Sequence, residues 1–316
     1  MTISYFEPLS RGISRMNKDL FHPFDLRRWF IVGFSAFLAA LADTGLSGPP
    51  ISGIRRRPKG QLEDILYFPQ KAWEWLGQNP GWAFAIAFGL FFLVVIGIVI
   101  TWLSARGKFV FLDNIVRGQA RVAAPWYEYR NEGNSFFWWN FLWLIIFTAI
   151  TLTYVFYCFV NLQALYESTR DGRTLILPAV LAGLGFFAIS VLSTFVFVLF
   201  RDFVVLIMYR DRISGWRAME KLLPLFFSQL HYFIGYGLFR FCLMIVIIIG
   251  ITMIGCVTCC VGFVILTIPY INAVALLPVS YAMRSFSLEF LEQFGPEYRI
   301  FPKPDGNPPR TQPTSI

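Results

Sequence analysis

The sequence predicts an all-α fold: a polytopic membrane helix bundle of about six transmembrane helices, with amphipathic helices on the cytoplasmic side. Three observations carry that prediction. Hydrophobic residues make up 56% of the 316 residues and charged residues 15%, with a mean hydropathy of +0.58; soluble domains run at about 45–50% and about 25%. Phe occurs 35 times and Trp 10 times, a bias that suits lipid contact and interfacial anchoring. The stretch Tyr232–Ala282 holds a single charge, Arg240, and is more than twice the ~20 residues one membrane helix needs. It must cross a bilayer, turn near Gly255–Cys260 and cross back.

The elements follow in order. In residues 1–26, Phe6, Leu9, Ile13, Met16 and Leu20 recur at steps of three and four, one helical face, with Arg11, Arg15 and Lys18 off it. Two readings stand: an interfacial helix in the headgroup plane, or a cytosolic helix packed on the bundle. The membrane domain is residues 27–295. Its first span, about 29–42, is short for a bilayer. Ala40–Leu41–Ala42 resembles a signal-peptidase site, but the preceding segment is too long for a signal n-region, so an uncleaved anchor is the better reading. A polar connection over 43–80 carries Arg55–Arg57 and a small helix around Leu62–Trp75. Span two is about 82–103.

Residues 108–135 form a basic amphipathic segment in which Asp113 pairs with Arg117 one turn on; Pro125–Trp126 ends it. Span three, about 136–160, opens on Phe136–Phe137–Trp138–Trp139, an aromatic belt at the membrane boundary. Span four, about 175–200, is rich in small residues (Ala182, Gly183, Gly185) that allow close helix contact. Ser214 is the expected N-cap of a helix with Trp216, Met219, Leu223 and Phe226 on one side. Spans five and six are about 232–254 and 260–282, and Gly295–Pro296 stops the last helix. Residues 296–316, Pro-rich and polar from Pro302 on, are expected to be disordered.

Charge sets the threading. With six spans and both termini cytoplasmic, about 19 basic residues lie inside and about 7 outside. If span one only dips into the membrane, the tally becomes roughly 12 against 14. The expected location is the bacterial inner (cytoplasmic) membrane, and the run Arg55–Arg57 is the one conflict. The net charge of +8 sits in short loops beside apolar segments, so the expected partners are membrane lipids with anionic headgroups, and other membrane proteins or self. No nucleic-acid module is visible. Span two, a basic helix and span three echo span four, a basic helix and span five, the parallel repeat some transporters show and static bundles also use.

Few residues could carry chemistry. Arg240 is the one strong charge inside a span; it must face the bundle or snorkel, and Asn272 and Asn140 are its candidate polar partners in an intramembrane site. Cys256, Cys259 and Cys260 are candidates for a disulfide or for small apolar packing. A metal would want further ligands, and His22 and His231 belong near the other face. Pro269 and Pro278 should kink span six. There is no HExxH, GxSxG or Walker A motif and no intramembrane carboxylate pair, so no catalytic, cofactor-binding or metal residue is expected. Asp113, Asp202, Asp211 and Glu220 lie among Arg and Lys neighbours, which predicts solvated ion pairs.

Three stretches taken together carry a resemblance: Ala105–Asn114 (ARGKFVFLDN), Ile268–Pro269–Tyr270, and Leu276–Val279 running into Arg284–Gly295 (RSFSLEFLEQFG). They resemble an uncharacterised family of prokaryotic multi-pass membrane proteins, distantly similar to the membrane domain of glycerophosphodiester phosphodiesterases. The resemblance implies a membrane-embedded helical fold. Its motifs are of the packing kind and no catalytic domain of that enzyme is present, so it implies neither an activity nor a functional residue. The expected function is a non-enzymatic membrane component that organises lipid or partner proteins. The alternative is a transporter or channel for a small anionic or amphiphilic solute, using Arg240, Asn272 and span six; a membrane enzyme acting on lipid is a third reading.

Overall fold

The computed structural model describes residues 3–44, 67–169, 173–258 and 268–301. Among the described residues the fold is all α, with no strand. The helices are α1 (Phe6–Phe21), α2 (Leu26–Thr44), α3 (Phe68–Gln78), α4 (Pro80–Arg117), α5 (Ala123–Glu128), α6 (Arg130–Thr169), α7 (Ile176–Asp211), α8 (Gly215–Ser228), α9 (Leu230–Val257), α10 (Pro269–Ala275) and α11 (Leu277–Glu292). A 3-10 turn, Pro296–Tyr298, follows.

Four helices, α4, α6, α7 and α9, are long and apolar enough to cross a membrane. They contain the expected spans 82–103, 136–160 and 232–254 and, from residue 176 on, the span 175–200. The expected first span falls in α2, where Arg27, Arg28 and Asp43 bound the apolar run; α2 does not reach the same length and apolarity. The expected sixth span, 260–282, begins outside the described residues, and its described part is the two helices α10 and α11 joined at Leu276. Pro269 and Pro278 each stand in the first turn of a helix, where a missing N–H costs nothing.

The long helices run on past their charges. The basic segment expected over 108–135 is not a separate helix: α4 continues unbroken to Arg117 over 38 residues, about 57 Å. α7 likewise continues to Asp211. A charge can end the apolar run of a helix without ending its hydrogen-bond ladder. What stops α4 is Gly118, with φ of +60°, the left-handed conformation glycine adopts without steric cost.

The chain divides into two compact units, each described by itself. Unit 1 comprises residues 1–41, 102–139 and 198–316; unit 2 comprises 42–101 and 140–197. Unit 1 holds a closely packed aromatic core. Phe109, Phe136, Phe203, Phe233, Tyr236, Phe286 and Phe290 are fully buried, and the Phe203 ring lies 4.9–6.0 Å from those of Tyr236, Phe233 and Phe290, within the range of favourable aromatic pairs. Phe136, Phe137 and Trp139 belong to the buried set and only Trp138 is exposed, so the expected aromatic belt is mostly core.

Small residues set the contacts in unit 1. A Cβ on Gly107 would lie 2.6 Å from the Leu38 backbone, so α2 and α4 meet backbone to backbone there. Ser104 Oγ donates to the Ala39 carbonyl at 2.8 Å, and Asn114 Nδ2 donates to Ser35 Oγ at 3.2 Å. On α1, Gly12 lies against the backbone of α11 at Ala282 and Phe286. Arg15 reaches Glu289 at 3.2 Å, and Tyr281 donates to Asp19 at 2.6 Å. α1 is packed on α11. Its contact face is rotated off the expected apolar row, because Gly12 admits close approach and Glu289 neutralises Arg15; Phe6 on that row stays 74% exposed. α8 repeats the pattern. Gly215, Ala218 and Leu222 are its buried residues; Ser214 stands at the expected N-cap position without a side-chain cap bond, and the Gly215 N–H donates to Ser135 Oγ at 2.9 Å.

The expected disordered segment starts too early at residue 296. Phe301 is 5% exposed beneath the Arg15 guanidinium, 3.4 Å from the ring centroid, so residues 296–301 belong to unit 1. Residues 302–316 lie outside the described residues, as do Cys259, Cys260, Arg55–Arg57 and Arg170–Gly172.

In unit 2, Tyr154 of α6 donates to the Ala182 carbonyl of α7 at 3.0 Å, and Gly185 leaves room for that hydroxyl. A Cβ on Gly183, expected at a close contact, would meet nothing within 4 Å.

Candidate functional site

Arg240 lies nearly three turns into α9, with Tyr236 one turn before it. A guanidinium at that depth needs an anion, and α7 supplies one. Arg240 Nη1 contacts Asp202 Oδ2, and Arg284 Nη1 of α11 stands 3.8 Å from Asp202 Oδ1. Asp202 is 4% exposed. Around this triad, Arg240 donates to the Tyr236 hydroxyl at 3.3 Å, which shares a 2.7 Å hydrogen bond with Ser287 Oγ. Three helices therefore meet on one carboxylate. The expected solvated aspartate at position 202 is a buried one, because the helix that carries it does not end at the charge.

A second buried carboxylate, Asp113 of α4, sits in the same unit. Tyr209 and Tyr129 donate to its Oδ1 at 2.8 and 3.1 Å, and Arg117 Nε approaches it at 2.8 Å, the expected one-turn pair. Arg117 also reaches Glu128 at 2.8 Å, and Arg212 bridges Glu128 and Glu132 while lying 3.8 Å over the Tyr129 ring. Burial pushes the Tyr129 hydroxyl up to about 12, against the downward pull of its bond to Tyr209. Arg106 completes the set: it donates twice to Asn134 Oδ1, at 2.9 and 3.1 Å, and its guanidinium lies 4.4 Å over the Trp102 ring.

The two expected partners of Arg240, Asn272 and Asn140, fall in different units. Asn272 is in α10, partly exposed, and makes no side-chain hydrogen bond among the described residues. Asn140 belongs to unit 2. It is 8% exposed, its Oδ1 has no hydrogen-bond partner, and it lines a cavity of about 150 Å³ with Trp143, Phe147, Ser193, Thr194 and Phe197. A larger cleft of about 370 Å³ in unit 1 is lined by Arg210, Asp211, Lys221, Glu297 and Tyr298, with Lys221 and Asp211 paired at 2.7 Å. Neither cavity has Arg240 or Asp202 in its wall. Cys256 is a free, exposed thiol near the end of α9. Among the described residues no group of three His, Cys, Asp or Glu is placed to hold a metal ion.

Chemically these clusters lock helices together. Each buried carboxylate is matched by guanidinium or hydroxyl donors on other helices, which holds interhelical geometry. The sequence pointed to Arg240 and to the Asp113–Arg117 pair. It did not point to Asp202 as the partner of Arg240, since 38 residues separate them and no local pattern links them.

The fold and its clusters define a class: an all-α protein whose four longest helices suit a membrane and whose buried charges are paired between helices. The chain belongs to the family of unknown function DUF7544, whose family model matches residues 4–283. That match shows no kinship with the membrane domain of glycerophosphodiester phosphodiesterases. No curated protein and no solved structure matches the chain.

Proposed function

We propose that this protein is a non-enzymatic, multi-pass component of a bacterial inner membrane that organises lipid or partner membrane proteins. In this reading α2 and the 260–282 stretch add to the four long helices to give about six spans, and both termini are cytoplasmic. The observation that carries it is the exposure of the apolar helices. In the apolar windows of α4 and α6 no residue is buried, and in those of α7 and α9 few are. Surfaces that large and apolar need a cover, and a bilayer or the helices of a neighbour supplies it. The basic tally supports the orientation. Paired charges at Asp202 and Asp113 favour a fixed scaffold over an active site. Exposed Phe6, Arg11 and Lys18 on α1, and Trp216 and Arg217 on α8, offer aromatic and basic contacts to anionic headgroups.

The experiment is native mass spectrometry of the protein released from its own membrane. Retention of anionic phospholipid over zwitterionic lipid, weakened by added salt, is expected. Equal retention of both, with no protein partner at fixed stoichiometry, would sink the proposal. A second reading, a transporter for a small anionic or amphiphilic solute, is favoured by one observation, the cavity at the unsatisfied Asn140. It requires solute flux in reconstituted vesicles that Asn140→Leu abolishes.

A further inference from the structure

Among the described helices of eight or more residues, α3 alone has no buried residue. Its sequence, FPQKAWEWLGQ, is two-faced. At 100° per residue, Trp75, Phe68, Ala72, Leu76, Pro69 and Trp73 fill one unbroken arc of about 160°. Gln70, Lys71, Glu74 and Gln78 fill the other side. Nothing apolar in the described protein covers that arc: Trp73 is 80% exposed and Phe68 66%.

What covers it follows from what it is attached to. A single residue, Asn79, separates α3 from α4. Its φ of −125° and ψ of 70° leave the helical region, so the two helix axes diverge. Yet the join is held from both sides. The Asn79 N–H and Nδ2 bond the Trp75 carbonyl at 3.0 and 2.9 Å, and its carbonyl accepts from Ala83 N–H at 3.0 Å. α4 then runs from Pro80 to Thr101 with an exposed apolar surface, 22 residues or about 33 Å, close to the ~30 Å hydrocarbon core of a bilayer. The tight join therefore fixes α3 at the boundary where that span begins, level with exposed Trp82.

We propose that α3 is an interfacial anchor: its Trp–Phe arc lies in the headgroup–acyl boundary of the lipid bilayer, and its Gln–Lys–Glu face lies in water. The occupant of the apolar arc is lipid. Trp and Phe beside a span end are the side chains that partition there, and every charged residue of the helix lies on the opposite side. The inference rests on the reading of α4 as a membrane span.

The test uses the full-length protein with its five native cysteines replaced by alanine and one new cysteine at a time. The sites are Gln70→Cys, Ala72→Cys, Trp73→Cys, Glu74→Cys and Leu76→Cys, with Leu90→Cys in mid-span as reference. Each carries a nitroxide, in vesicles of phosphatidylcholine and phosphatidylglycerol. Collision rates are measured with oxygen, which favours lipid, and with a water-soluble nickel chelate. The expected result is an oxygen-to-nickel ratio several-fold higher at 72, 73 and 76 than at 70 and 74. Nickel access at all five sites would overturn the proposal by placing α3 in water. Protection of 72, 73 and 76 from both reagents would overturn it in favour of a protein contact. Ala72→Cys and Leu76→Cys, set against the polar-face variants, keep the test usable if Trp73→Cys fails to fold. Nickel access at Leu90 would refute the membrane span itself, and oxygen-only access there confines any failure to α3.

Discussion

Asp202 and Arg240 form a buried ion pair that joins α7 to α9. Removing one member of a buried pair strands the other, at about 3–5 kcal/mol. Arg240→Met is therefore expected to lower the melting temperature sharply in detergent or nanodiscs, with Arg284 too distant at 3.8 Å to compensate fully. Adding Asp202→Asn should restore part of the loss, since no buried carboxylate then remains unpaired. Strictly additive losses would contradict the pairing. Tyr129 makes a pH prediction. Its hydroxyl is held up to about 12 by burial, against about 10 for a free tyrosine. The unfolded chain therefore releases that proton first. The stabilisation is fully present below pH 10 and is lost as the pH rises from 10 to 12. Folded fraction followed by near-UV dichroism should fall across that window, less steeply in Tyr129→Phe measured from its own baseline.

At the level of helices, glycine positions separate contact from exposure. Gly107→Ala places a Cβ 2.6 Å from Leu38 backbone and should cost about 1–3 kcal/mol by overpacking. Gly89→Ala and Gly97→Ala meet nothing within 4 Å and should be neutral or stabilising by up to about 1 kcal/mol; thermal melts of the three variants check this. The same positions show what was legible in the sequence. The four long apolar runs were readable because hydropathy marks a span regardless of context. Their ends were not, because Arg106, Lys108 and Arg201 change the solvent of a helix without breaking its ladder. The packed faces of α1 and α8 were only partly legible for a related reason. Periodicity groups the large apolar residues on one side, of which Leu20 is buried, whereas Gly12, Gly215 and Ala218 make the close contacts and Phe6 and Trp216 are exposed. Near a membrane, lipid competes for large apolar side chains and small residues win the helix contacts. In the candidate site, Asp113–Arg117 was legible as a one-turn pair. Asp202–Arg240 was not, being set by tertiary packing.

For the molecule as a whole, unit 1 buries its charges in pairs around an aromatic core, while the apolar windows of the long helices are left uncovered. That division suits the proposed function: a packed portion, and apolar surface for lipid or a neighbouring helix. The proposed function turns on how α9 is threaded. With the Arg240 end of α9 on the cytoplasmic side, exposed Cys256 lies near the opposite end of a 28-residue helix, about 39 Å along from Leu230. The direct measurement is labelling of a variant that keeps Cys256 as its only cysteine, with a membrane-impermeant maleimide applied to intact spheroplasts and to inverted vesicles. Labelling is expected from the periplasmic side alone. Labelling from the cytoplasmic side alone would contradict the proposed threading.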